Sequence, residues 1–241
     1  MACARRGMAL FIEKPLDCSI VHLETLLKLA AQRKITTYVA YCLRFHPVIQ
    51  EFKKLLNRRA LLHMRILTTS YLPLWRPKIH HLESYSARQN MGGGVIYDLS
   101  HELDFLEYLL GHIQCLKGNF GKKSDVTVDA EDYADILAQT KKGPVNIHLN
   151  FLSHHHQRRI QMDFKDRSVD GDLMKGEVSV YQKGKLVSQK RYAGTLEHCY
   201  ERQIKYFFEN IHNPHMMNNV KEAAELFKKI YYFKKTKGGH E

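Results

Sequence analysis

Residues 9–42 read ALFIEKPLDCSIVHLETLLKLAAQRKITTYVAYC, and the succession of patterns along them decides the fold class. Ala9-Leu10-Phe11-Ile12 is a short apolar run suited to an extended strand. From Asp17 to about Lys34 the apolar residues Val21, Leu23, Leu26, Leu27 and Ala30 recur at helical spacing, with Asp17 placed to act as the N-cap. Ile35 to Cys42 is rich in β-branched and aromatic residues (Thr36, Thr37, Tyr38, Val39, Tyr41) and reads as a second strand. Strand, helix and strand make one β-α-β unit, the parallel crossover from which doubly wound sheets are built.

Toward the N-terminus, Arg5 and Arg6 precede an apolar stretch, Gly7 to Ile12, that Glu13-Lys14-Pro15 ends before it reaches the length of a signal-peptide core. No apolar run elsewhere approaches a bilayer span, since Lys28 interrupts even Leu26 to Ala31. Toward the C-terminus the style changes at Arg44-Phe45-His46-Pro47, which puts a domain boundary near His46 and divides the chain into residues 1–46 and 47–241. A helix from Pro47 to about Asn57 and a strand over Leu61 to Tyr71 come first. A loop rich in Pro and His (Pro73 to Ser86) leads to Gly92-Gly93-Gly94 and a helix from about Val95 to Leu110, closed by Gly111. Six β-like runs follow: Ile113 to Phe120, Tyr133 to Thr140, Val145 to Leu152, Arg159 to Phe164, Glu177 to Gln182 and Leu186 to Tyr192. Strands this consecutive imply antiparallel pairing, with hairpin turns at Gly143-Pro144 and Lys183-Gly184-Lys185. Helices over about Leu196 to Ile211 and Asn219 to Lys235 close the chain. The second part is therefore expected to be α+β, a mostly antiparallel open sheet with helices on one face.

A chain of 241 residues with 44% hydrophobic content can bury a sizeable core. Five cysteines (Cys3, Cys18, Cys42, Cys115, Cys199) without a C-x-x-C pair fit neither a zinc cluster nor a disulfide framework, and point to the cytoplasm. A net charge of +12 brings polyanions into consideration. The basic residues are spread along the chain, with one modest cluster at Lys228, Lys229, Lys234, Lys235 and Lys237. No helix-turn-helix, RNP or finger pattern accompanies them, so a solvated basic surface is favoured over nucleic-acid binding.

Asp98 and His101 are three residues apart and would lie one turn apart on a helix. A carboxylate beside an imidazole stabilises the imidazolium and raises its pKa toward the range useful for proton transfer. The spacing equally suits an Asp near a helix start and a structural histidine. Lys14 follows the first strand, and carboxyl ends of strands in open α/β sheets are where ligands bind; Pro15 restricts its backbone. An exposed loop lysine is the competing reading. The glycine triplet permits close approach of a ligand but also suits a turn, and no G-x-G-x-x-G occurs anywhere in the chain. His154-His155-His156 and His80-His81 do not make a convincing metal site, because neighbours on a strand point to opposite faces. No G-x-S-x-G elbow supports a hydrolase. Trp75, beside Arg76, could stack on a planar ligand or on its own domain.

Three of these stretches together resemble one family. Phe11-Ile12-Glu13-Lys14-Pro15 resembles the E-K-P motif of the Gfo/Idh/MocA (glucose–fructose oxidoreductase/inositol dehydrogenase) oxidoreductases. Residues 92–104, from Gly92 through Asp98 and His101 to Asp104, resemble their G-G-G…D…H…D segment. Tyr41-Cys42-Leu43-Arg44-Phe45-His46-Pro47 is similar to the N-x-R-F-x-P stretch that leaves the family's first domain. The resemblance implies that residues 1–46 correspond to the end of a dinucleotide-binding Rossmann domain, and residues 47–241 to the substrate-binding and oligomerisation domain. It implies hydride transfer between NAD or NADP and a sugar or polyol, and homo-oligomers through the open sheet. Lys14 would orient or polarise the reacting oxygen, His101 would act as general acid/base, and Asp98 would bind substrate or support His101. Glu13, Pro15, Arg44, Trp75 and Arg76 would lie near the cofactor, and Tyr85 near the substrate. Many members place the histidine four residues after the aspartate rather than three. Without the Gly-rich turn, cofactor binding is expected to be weak or absent. A non-catalytic sugar-binding or assembly module is the alternative expectation, and a basic polyanion-binding protein a third.

Overall fold

The structure, a computed structural model, describes residues 1–74, 92–124, 129–194 and 196–236. After a one-turn helix α1 (Ala2–Arg5), strands β1 (Leu10–Ile12) and β2 (Thr37–Val39) pair in parallel, joined by α2 (Leu23–Gln32). The β-α-β unit is thus present, with a later helix start than the apolar spacing predicts. Asp17 caps no helix: its Oδ1 accepts from the amides of Cys18 (2.7 Å) and Ser19 (3.2 Å) and closes a turn of its own, the usual competition between an Asp side chain and the helix. Val21, expected on the buried stripe, lies outside α2 and is exposed.

Helix α3 (Pro47–Leu56) begins where expected, with proline at its first position. His46 is its N-cap, Nδ1 accepting from Val48 N at 3.2 Å. β3 (Leu61–Tyr71) follows with the predicted bounds. The single helix expected over Val95 to Leu110 is two, α4 (Val95–Asp98) and α5 (His101–Leu110). The cause is visible at Asp98, whose carbonyl would accept from Glu102 N in a continuous helix. It accepts from Lys14 Nζ instead (2.6 Å), while Glu102 N turns to Leu99 O. Gly111, at φ +84°, ends α5.

The remaining strands are β4 (Ile113–Gly121), β5 (Tyr133–Thr140), β6 (Gly143–Asn150), β7 (Leu152–Phe164), β8 (Ser168–Asp172), β9 (Glu177–Gln182) and β10 (Lys185–Arg191). With β3 they form an eight-stranded sheet in the order β10-β9-β8-β7-β3-β6-β5-β4. Pairing is antiparallel throughout except that β3 runs parallel to β6, Met64 opposite Val145 and Thr69 opposite Asn150. Three local expectations are corrected. β8 carries no recognisable strand pattern, since Ser168, Asp170, Gly171 and Asp172 have low β-propensity. The histidine run belongs to one long strand, β7. Thr140 pairs with Gly143, so Lys141-Lys142 make the turn and Gly143-Pro144 open β6. The turn at Lys183-Gly184 is as expected, both residues having positive φ.

Helices α6 (Leu196–Glu209) and α7 (Val220–Lys235) complete the fold; the Asn219 side chain caps α7 by accepting from Lys221 N and Glu222 N. Along β5 buried and exposed residues alternate strictly, so one face of the sheet packs on helices and the other is open, with Leu137 57% exposed. One continuous core joins Leu23, Val39 and Tyr41 of the β-α-β unit to Phe52, Phe105, Leu106 and Ile147 of the larger part. Among the described residues β1 has no strand on its other edge. No described helix is long and apolar enough to cross a membrane.

Candidate active site

The end of β1 and the α4–α5 break meet. Lys14 leaves β1 and donates to the carbonyl of Asp98 (2.6 Å) and to its Oδ1 (3.3 Å). The ion pair is largely enclosed, with side-chain exposures of 14% and 2%. Gly92 lies against Pro15 and Cys18, so the glycine run packs directly on the segment carrying Lys14. Gly94 has φ +102°, and a Cβ there would fall 2.5 Å from the Glu131 carboxylate. Glu131 is what fixes this turn: its Oε1 accepts from Ile96 N (3.3 Å) and from Lys234 Nζ (2.7 Å), and its carbonyl accepts from Val95 N. The short helix α4 is thereby held at both ends, by Glu131 before it and Lys14 after it.

His101 begins α5 almost fully buried, its ring edge-on to Tyr41 at 5.6 Å. Its Nδ1 has no hydrogen-bond partner among the described residues. Burial, then the positive charges of Lys14 and Arg158, hold its pKa well below the usual histidine value. This corrects the expectation that Asp98 raises it: the Asp98 carboxylate pairs with Lys14, and the field at His101 is that of two cations in a desolvated place. The imidazole is therefore neutral at neutral pH, and the same burial and cations disfavour its protonation unless negative charge develops beside it.

Beside His101, Glu102 is fully buried and accepts from Thr68 Oγ1 (2.8 Å), and its Oε1 is 2.8 Å from Arg158 Nε. Thr68 and Arg158 face each other across β3 and β7. His156, two residues earlier on β7, is shifted down by burial and by Arg158. Sequence reasoning missed Tyr41, Glu102, Arg158 and His156 as neighbours of this site. The acidic run at the start of α5 was a signal for Glu102; nothing in the spacing pointed to Arg158.

The other expected site residues are distributed. Glu13 is exposed beside Lys14, and Pro15 follows through a cis peptide. Arg44 is buried with its guanidinium committed to Asp104, Nε to Oδ2 at 3.0 Å and Nη2 to Oδ1 at 2.8 Å, and to Glu222 Oε2 at 3.3 Å. That arrangement ties the segment after β2 to α5 and α7. Trp75, Arg76 and Tyr85 lie outside the described residues. Among the described residues no three His, Cys, Asp or Glu side chains converge as a metal site would require.

The GFO/IDH/MocA C-terminal domain family matches residues 49–169. No match was found among curated protein sequences. Solved structures similar to this chain include an oxidoreductase from Agrobacterium radiobacter in complex with NAD+, L-tartaric acid and magnesium, at 15% identity and TM-score 0.78, covering 97% of this chain and 73% of that one. UDP-N-acetylglucosamine 3-dehydrogenase from Acidithiobacillus ferrooxidans matches at 16% identity and TM-score 0.76, over 98% and 73% of the two chains. An inositol dehydrogenase homolog from Azotobacter vinelandii, complexed with NAD+, matches at 13% identity and TM-score 0.79, over 98% and 72%. At these identities the likeness is one of fold.

Proposed function

The chain belongs to the Gfo/Idh/MocA oxidoreductase family, and from that premise we propose that the Lys14–Asp98–His101 cluster is the proton-handling part of a nicotinamide-dependent dehydrogenase site acting on a sugar, polyol or related compound. The observation that carries this reading is an ammonium held by Asp98 beside a buried, neutral imidazole at the carboxyl end of a parallel strand. Lys14 polarises the reacting oxygen, and Asp98 fixes its direction. His101 takes the proton when a hydroxyl becomes a carbonyl and returns it in the reverse direction. NAD or NADP, when bound, supplies or accepts the hydride. The glycine run packed on Pro15 fits the nicotinamide end, with Glu13 and Pro15 flanking it; no G-x-G-x-x-G turn is present in the chain to hold the pyrophosphate. A sugar-binding or assembly module without catalysis is the second reading. In both readings residues 1–46 form the end of the dinucleotide-binding domain, residues 47–241 form the substrate domain, and the open sheet face meets a second copy of the chain.

Titration of the 241-residue chain with NADH and NADPH, followed by nicotinamide fluorescence and melting temperature, separates the two. Saturable binding, with turnover of a polyol panel that Lys14→Ala and His101→Ala lower by about a hundredfold or more, supports the dehydrogenase. Absence of binding at millimolar cofactor leaves the binding module.

A further inference from the structure

A cavity lies at the opposite end of the β-α-β unit from Lys14, where β2 begins. Its volume is about 800 Å³, within the range of small-molecule sites. Leu27 and Ala30 of α2, Ile35 between α2 and β2, and Val220 at the start of α7 supply apolar wall. Lys34, His215 and Lys221 also line it, and among the described residues no Asp or Glu does. The two cavities on the open sheet face, about 210 and 460 Å³, differ in mixing signs, Arg65 and Arg159 with Asp170 in one and Arg65 with Asp135 in the other.

The nearest carboxylate on α7 is directed elsewhere: Glu222 accepts from Arg44 and from Asn218 N. The first amides of α7 are occupied too, Val220 N by Thr37 Oγ1 (2.9 Å) and Lys221 N and Glu222 N by Asn219 Oδ1. The helix end therefore contributes its dipole rather than free donors, and the side-chain cations are the groups left to meet an anion. A carboxylate on a polar compound would gain only surface ion pairs here, each weak in water. An apolar body seated on Leu27, Ala30, Ile35 and Val220 adds the burial that makes binding measurable.

We infer that this cavity binds an amphipathic carboxylate, an apolar chain or ring bearing one anionic head, independently of the Lys14 site. Octanoate, octylammonium and octanol are the probes, titrated calorimetrically and by melting temperature against the whole chain. Octanoate binds saturably and raises the melting temperature, with octylammonium at least tenfold weaker. The Lys34→Glu/Lys221→Glu double variant reverses that order, and Ala31→Trp, which fills the cavity from an exposed position on its lining, removes binding of all three. The unliganded variants melt with the parent because all three positions are exposed. Octanoate binding no tighter than octylammonium, binding retained in Ala31→Trp, or no octanoate binding at all overturns the inference.

Discussion

His46 shows how one side chain couples position to pH. It is fully buried, caps α3 through an accepting Nδ1, and burial lowers its pKa to about 4. An unfolded histidine titrates near ~6.5. Below that value the unfolded chain takes up a proton that the folded chain refuses, so the contribution is complete above ~6.5 and is lost as pH falls toward the folded pKa. The loss is on the order of 3 kcal/mol across that window. Urea midpoints at pH 7 and 4.5 measure it, and His46→Asn, which retains a capping oxygen, flattens the dependence. At the same scale the sequence exposed Lys14, Asp98 and His101 as candidates without joining Lys14 to Asp98. Local spacing couples Asp98 to His101; the ammonium that claims Asp98 comes from 84 residues away, beyond the reach of any local pattern. Arg158 was invisible for the same reason, being brought to Glu102 by the register of β3 on β7.

Elements were legible where a period runs undisturbed. β3, β5 and β9 match their expected bounds because each lies between clear turn or helix residues. Failures occurred where a side chain from elsewhere interrupts a helix, as Lys14 does between α4 and α5, or where packing dictates a strand against propensity. β8 is the second kind: Gly171 leaves room for α3, since a Cβ there would sit 2.5 Å from the Phe52 ring and 2.7 Å from Val48. The α4 segment gives a sharper test. Gly94→Ala meets both an unfavourable φ and the Glu131 carboxylate, and lowers stability by about 1–3 kcal/mol. It also shifts Asp98, so the His101 ring resonances move with it. An alanine variant that melts like the parent, with unchanged His101 resonances, would show that the turn relaxes freely.

At the scale of the molecule, fold class was readable because hydrophobic alternation and turn residues recur through the second half, whereas strand order was not. The open sheet face carries Leu137 next to the Asp135–His148 pair, with His148 Nδ1 2.6 Å from Asp135 Oδ1. If two chains meet there, Leu137→Asp places a charge in a desolvated interface and halves the mass seen by light scattering, with an unchanged melting temperature at low concentration. A parent chain that is already monomeric removes the sheet-mediated assembly from the proposal.

The parallel pairing of β3 with β6 also bears on how the chain reaches this structure. β3 ends at Tyr71, yet both of its neighbours lie after Thr140 in the chain, so on a ribosome the central strand emerges long before either partner exists. Its row of apolar residues must wait, solvated or shielded, while an intervening stretch that includes α5 and the β4–β5 hairpin is made. Those later pieces are local and quick to form, whereas closing β3 onto β6 and β7 carries the entropy of a long loop. Sheet assembly around β3 is therefore expected to be slow relative to the local elements, and the unpaired strand before it invites aggregation.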